Sequence, residues 1–398
     1  MTRFKRRVLL GLGLIVMVLV GLGVWFYYVY FASTSTALQR AEAFFFRRML
    51  VSQLSPQGGY RFFFVTNRRP ESKAGPLEER FGIERQADLQ FGFFDVQVER
   101  SLGLGMIINP SEWFQNEEIK LNVVQELDQS AFVAHVRGLV QKSPRRSLLV
   151  VVHGFREAFP SALRKTAFLG HVLDINSPML LFDWPGNQGS SPSGYRQASR
   201  VAEASGAELA RTLELVIRDI RPDKLSLIAN SMGAQVVVKA LRLLYRQTDL
   251  ANAKTEIEDL VLTAPDVDYQ EFADPQFRQA LKALARKTTI YVSSNDRALL
   301  ASRLLNRGRR IGQSTLNPSR LEEAARVVDH DPESEEVTVV DVTPVNRTRN
   351  FHNFSLETPE FFDDLYLRLS NTQTPRSRLI YPVQAPNGTV YWILTRGR

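Results

Sequence analysis

The sequence predicts an α/β fold: a mostly parallel, doubly wound sheet with antiparallel edge strands, preceded by one transmembrane helix. Three observations carry this expectation. From Ser147 onward, short apolar runs alternate with amphipathic stretches at helical spacing, the pattern of parallel strands joined by crossover helices. Upstream, the run 59–66 reads as a strand stopped by Asn67-Arg68-Arg69-Pro70, and 92–98 as another, half-buried by its alternation. At the amino terminus, a basic flank precedes a long uncharged apolar segment.

That first segment runs from Val8 to Phe31, behind Arg3, Lys5, Arg6 and Arg7. At about 1.5 Å per residue it is long enough to cross a hydrocarbon core of roughly 30 Å. Its far end is rich in aromatics that suit the membrane interface, and the basic flank is expected to stay cytoplasmic. The remainder is then expected outside the cytoplasm, which is the periplasm if the cell is Gram-negative. A cleaved signal peptide, with Ser35-Thr36-Ala37 as its cleavage site, is the competing reading. The apolar run exceeds the roughly 7–15 residues of a signal core, which favours a retained anchor.

The expected organisation is therefore flank and anchor over 1–31, a membrane-proximal helical linker over 32–58, the main domain over 59–370, and an extension over 371–398. Within the domain, Gly59–Thr66 and Gly92–Val98 are expected as antiparallel edge strands. Leu148–Val152 forms the first inner strand, followed by a helix around 161–174 and the strand Met179–Trp184. The glycine- and serine-rich loop 185–194 begins at a strand's carboxyl end. It reads either as a border of the site or as an ordinary surface connection. A long helix near 198–220 follows, with Leu209, Leu213, Val216, Ile217 and Ile220 on one face. Further strands are expected at 225–230, 260–263, 288–292 and 337–342. In the extension, Leu379–Val383 and Val390–Leu394 flank Asn387-Gly388, predicting a hairpin that covers an edge of the sheet.

The run Leu225–Asn230 leads into Ser231, with small residues Ala229 and Gly233 two positions to either side. Val236, Val237, Ala240, Leu241 and Leu244 then repeat at helical spacing. This is the form of a nucleophile elbow, although Ala229 stands where glycine is usual. A serine before a helix is often only an N-cap, so its surroundings matter. His153-Gly154 ends an apolar strand upstream, and its turn suits an oxyanion hole built from the backbone N–H groups of Phe155 and Met232. Downstream, Asp296 ends the strand 288–292 region, and His352 follows the strand 337–342. The chain order Ser231, Asp296, His352 is that of alpha/beta hydrolases. Asp266, which ends the intervening strand, is the rival acid, and Asp296 has the alternative role of capping the helix at Arg297. His352 is chosen by elimination: His135 and His171 lie in helical patterns, His330 in an acidic loop, and His153 in the oxyanion turn.

These residues resemble a bacterial family of alpha/beta hydrolases without an assigned function, over about 60–369. The resemblance rests on Thr66-Asn67-Arg68, Val152-His153-Gly154-Phe155, Phe182-Asp183-Trp184-Pro185, Ala229–Gly233, Ala264-Pro265-Asp266, Ser293–Leu299 and His352. It implies the alpha/beta-hydrolase fold and the triad Ser231, Asp296, His352. Asn230 stands where that family usually has histidine, which bears on substrate preference.

Composition narrows the function classes. With 44% hydrophobic and 23% charged residues, the chain is an ordinary globular protein. It has no cysteine, which excludes disulfides, a thiolate nucleophile, iron–sulfur ligation and a lipid on an N-terminal cysteine. The net charge of +8 is scattered in short clusters without interleaved aromatics, which suits solvated surface or anionic headgroups and not nucleic acid. There is no metal-ligand cluster and no glycine-rich phosphate loop, so no metal or cofactor is expected. The leading expectation is a membrane-tethered serine hydrolase acting on a small-molecule or lipid ester. The alternatives are acyl transfer through the same triad and a non-catalytic binding scaffold at the cell envelope.

Overall fold

The computed structural model describes residues 17–22, 50–55, 59–71, 75–98, 119–173, 175–246, 257–306, 308–313, 337–348, 351–370, 379–384 and 390–396. Their strands are β1 (Gln53–Ser55), β2 (Gly59–Pro70), β3 (Phe81–Val98), β4 (Ile119–Leu127), β5 (Ser147–Val152), β6 (Met179–Asp183), β7 (Lys224–Asn230), β8 (Ile257–Thr263), β9 (Ala285–Val292), β10 (Val337–Asp341), β11 (Ile380–Gln384) and β12 (Val390–Leu394). All join one sheet in the order β11-β12-β10-β9-β8-β7-β5-β6-β2-β3-β4, with β1 paired to β2. Every neighbouring pair from β12 across to β2 is parallel. The helices are α1 (Gln129–Lys142), α2 (Phe159–Leu173), α3 (Pro192–Leu215), α4 (Gly233–Tyr245), α5 (Tyr269–Ala273), α6 (Pro275–Leu284), α7 (Arg297–Asn306), α8 (Phe354–Glu357) and α9 (Pro359–Ser370).

Strand residues alternate between two buried layers, as the twofold period of a strand requires. Phe63, Val65, Val150 and Val152 enter one core with Phe132 of α1, Leu209 of α3, Val237 of α4 and Phe277 of α6. Phe62, Phe64, Leu149 and Val151 enter the other with Phe168 of α2 and Phe361 and Leu365 of α9. Cover on both faces explains why these strands read as unbroken apolar runs.

Several expectations are corrected. Neither 92–98 nor 59–66 is an edge strand, because β3 pairs antiparallel with both β4 and β2, and β2 pairs in parallel with β6. The β2 run Phe62-Phe63-Phe64-Val65 is apolar on both faces and takes an inner place. The edge belongs to β4, whose mixed and mostly exposed residues gave no clear strand signal. The hairpin β11–β12, by contrast, forms as expected and covers an edge, with β12 pairing in plane beside β10 and Val340 opposite Trp392. Helix α3 starts at Pro192, inside the expected loop, because Ser191 caps it and proline fits the first turn. Residues 50–55 of the expected linker form a 3-10 turn and β1 on the sheet.

The expected span 8–31 lies outside the described residues apart from a helical stretch over 17–22. Among the described residues, no helix is long and apolar enough to cross a membrane.

Candidate active site

The carboxyl ends of the central parallel strands carry the residues of interest, as open α/β sheets generally arrange them. At the end of β7 the chain turns sharply into α4, and Ser231 holds the left-handed φ of 52°. For a residue with a side chain this costs of order 1–3 kcal/mol. Neighbouring strands hold the turn: Ser231 N–H donates to Thr263 O at 2.9 Å, and Ser231 O accepts from Asp266 N at 3.1 Å. Gly233 is required by close packing, since a Cβ there would lie 2.5 Å from His153 O and 2.9 Å from Val152 O. A Cβ on Gly154 would lie 3.2 Å from that of Ser231, so the β5 turn and the elbow sit against each other.

His352 lies beside Ser231, its Nε2 2.9 Å from Ser231 Oγ. Its Nδ1 is 2.7 Å from Asp296 Oδ2. The other Asp296 oxygen accepts from Leu299 N at 2.9 Å, so this carboxylate both caps α7 and holds the imidazole. The loop bearing His352 is tied back by Asn346, whose amide donates to Phe351 O at 2.7 Å and Ser293 Oγ at 2.9 Å. Burial pushes the His352 pKa down, but the charge of Asp296 and its hydrogen bond outweigh this and leave it above the ordinary value.

The rival acid is occupied elsewhere. Asp266 accepts from the Tyr195 hydroxyl and from Ser302 Oγ, each at 2.6 Å, and pairs with Arg310 at 3.2 Å. Burial and that carboxylate together push the Tyr195 hydroxyl well above its usual range.

The two expected oxyanion donors lie on the two backbone segments that meet at the elbow. Met232 is fully buried, next in the chain to Ser231. Met232 also opens α4, whose amino-terminal dipole favours negative charge. Phe155 follows His153-Gly154, in a turn fixed from behind. His153 Nε2 lies 3.0 Å from Asp183 Oδ1 and 3.1 Å from Trp184 N. Trp184 Nε1 donates to His153 O at 2.9 Å, and the two rings stack with an interplanar angle of 6°.

Beneath this turn lies Arg68, its side chain completely buried. Arg68 Nε donates to Asp183 Oδ2 at 2.7 Å. Its remaining nitrogens donate to Gly82 O at 3.0 Å and to Asn187 Oδ1, Glu157 O and Trp184 O at 2.7 Å each. Burial raises the pKa of Asp183, but the Arg68 charge and the His153 hydrogen bond outweigh it and hold the carboxyl below its usual range. Sequence reasoning quoted Arg68 and Asp183 within motifs yet gave them no role. The available signal was an arginine and an aspartate at the ends of strongly apolar strands.

A cleft of about 790 Å³ opens onto Ser231 and His352. Ile228, Leu299, Leu305, Leu356, Phe361 and Leu365 give it an apolar lining. Ser190 and Ser191 also line it, so the loop after β6 does border the site. Polar groups share the lining, among them Asn230, Asp266 and Ser302, and a patch where Lys165 pairs with Glu157 and Ser161 Oγ donates to Glu157 at 2.7 Å. Among the described residues, no cluster of histidine and carboxylate groups could hold a metal ion.

A family model described as an alpha/beta hydrolase of unknown function (DUF900) matches residues 128–365, more than half of the chain. No curated protein matches the sequence. Among solved structures, similarity extends to a zinc-bound, cold-adapted esterase from an Arctic intertidal metagenomic library. That likeness is 12% identical with a TM-score of 0.36, covering 80% of this chain and 97% of the other. Similarity also extends to phospholipase PlaB from Legionella pneumophila, at 11% identity and a TM-score of 0.29, covering 63% and 69%.

Proposed function

The chain belongs to that alpha/beta-hydrolase family, and from this premise we propose that it is a membrane-tethered serine hydrolase of carboxylic esters. The observation that carries the proposal is the row of side chains at the elbow. Ser231 Oγ lies 2.9 Å from His352 Nε2, and Asp296 lies 2.7 Å from Nδ1. In this reading, His352 takes the proton of Ser231 as Oγ attacks the ester carbonyl. Asp296 orients the ring and stabilises the imidazolium. The N–H groups of Phe155 and Met232 bind the oxyanion of the tetrahedral intermediate. Its collapse breaks the bond to the leaving oxygen, which His352 protonates, so an alcohol departs and an acyl-Ser231 ester remains. Water, deprotonated by His352, then attacks that ester and releases the carboxylic acid and free Ser231. The apolar lining of the cleft supports an acyl group as the part that it holds.

The tether is residues 8–31, with Arg3, Lys5, Arg6 and Arg7 on the cytoplasmic side and the catalytic domain on the outer side. Amino-terminal sequencing of the membrane fraction checks retention, and a mature start near Leu38 would show cleavage instead. The chemistry is checked with a fluorophosphonate probe and an ester panel. The expected result is one probe per chain by intact mass, absent in Ser231→Ala. A wild-type protein that neither reacts with the probe nor cleaves any ester would overturn the reading.

A further inference from the structure

Helix α7 leaves two leucines in water at the mouth of the cleft. Leu300 is 48% exposed and Leu304 is 74% exposed. Four residues apart, they share one face of the helix. A single exposed leucine needs no explanation. Here, however, Leu304 also lines the cleft, as do Ala301 and Leu305 beside it. Leu304 therefore joins the exposed face of α7 to the lining of the cleft that holds Ser231. The charges that α7 itself carries are of one sign, and the carboxylates in the cleft, Glu157 and Asp266, are paired with Lys165 and Arg310. Arg297 and Arg303 lie on α7, which has no acidic residue. Arg156, exposed after the β5 turn, lines the same cleft.

We propose that this face of α7 docks on an anionic phospholipid surface, which lets an acyl chain pass from the bilayer into the cleft without crossing water. Two leucines supply apolar area to the acyl boundary, and the arginine fringe matches anionic headgroups. The proposal deepens the ester-hydrolase reading and rests on it for the identity of the guest, but the docking itself does not depend on turnover. It also concerns a different part of the chain from the amino-terminal tether, which would hold the domain near a bilayer without orienting its cleft.

The absence of cysteine makes a direct test possible in the full-length protein. Leu300→Cys, outside the cleft lining, carries a polarity-sensitive fluorophore. Val123→Cys, exposed on β4 at the far edge of the sheet, carries the same dye as a reference. With phosphatidylglycerol vesicles, the dye at 300 should shift to the blue and be quenched by brominated lipid. The shift should shrink with phosphatidylcholine vesicles, and the dye at 123 should stay aqueous. A dye at 300 that is indifferent to vesicles overturns the proposal. So does a dye already dry without vesicles, or one that shifts with protein concentration alone, since another part of the chain or a second copy then covers the helix. In a second arm, Leu300→Glu should lose at least tenfold in turnover of a long-chain ester carried in phosphatidylglycerol vesicles while cleaving a short soluble ester at the wild-type rate. Equal turnover of the vesicle substrate, or equal loss on both, overturns docking. Failure of the wild type on every ester overturns the hydrolase reading and leaves the dye result standing on its own.

Discussion

The β5 turn and the His352 loop approach Ser231 from two sides, and they are held in different ways. The β5 turn stands on a completely buried arginine that ties Asp183, Asn187 and the carbonyls of Glu157, Trp184 and Gly82 into one block. The His352 loop stands on a neutral buried amide, Asn346, in place of a charged guanidinium. Its ring is held by Asp296 on one nitrogen, and its backbone by Asn346. The contrast follows from the chemistry proposed for each side. Oxyanion donors stabilise charge best when they need not reorganise as it develops. A histidine that passes a proton from nucleophile to leaving group needs only its orientation and tautomer fixed.

The largest expected effect tests the lightly held side. Asp296→Asn should lower kcat by about 10⁴-fold, by analogy with other triads, while the melting temperature changes little because asparagine still caps α7. Full activity in this variant would break the comparison outright. Asp266→Asn is its counterpart. Turnover should stay within about tenfold of wild type, and thermal unfolding should come a few degrees earlier as the Tyr195, Ser302 and Arg310 contacts weaken.

Arg68 tests the rigid side. Arg68→Met leaves the buried Asp183 charge without its partner and should cost about 3–5 kcal/mol in denaturant unfolding. Arg68→Lys keeps the charge but loses the planar fork of donors. It should fold, with kcat down by about 10²-fold, the size of losing one oxyanion donor, and KM near wild type. Equal kcat in the lysine variant would mean that the turn holds its shape without the fork.

The smallest effect is in pH dependence. Only neutral His352 can accept the Ser231 proton, and its pKa lies above the ordinary value. The acid limb of kcat/KM should therefore have its midpoint above about 6.5. In Asp296→Asn the residual activity should show a lower midpoint, because the raising charge is gone. Stability runs the opposite way: the protonated His352–Asp296 pair supports the fold fully below the unfolded-state pKa, and the contribution is lost as pH rises through the folded value. An unchanged midpoint in the asparagine variant would show that the coupling to Asp296 is weak.

The lightly held side was the more legible in sequence. Ser231 stood out because an apolar strand, small residues and a helical stripe converge on it. Asp296 and His352 followed from chain order. Asp266 stayed a rival because both aspartates end strands, and only the third dimension puts Tyr195, Ser302 and Arg310 around it. The rigid side was scarcely legible. Arg68 contacts residues 14 to 119 positions away, and no local pattern reports a guanidinium turned inward. Likewise β2 looked like an edge because its partner β6 lies more than a hundred residues downstream, and β12 was seen as half of a hairpin but not as a neighbour of β10.

Ser231 and His352 are 121 residues apart in the chain. Synthesis proceeds from the amino terminus, and early parts of a chain can begin to organise while later parts are still unmade. The elbow and the turn that packs on Gly233 are both encoded before residue 234, so Ser231 emerges from the ribosome long before its imidazole exists. During that interval it is an ordinary alcohol. Under the proposed mechanism the chain is armed only when its last third has been made and docked, so a truncated or stalled product would carry the serine without the means to use it.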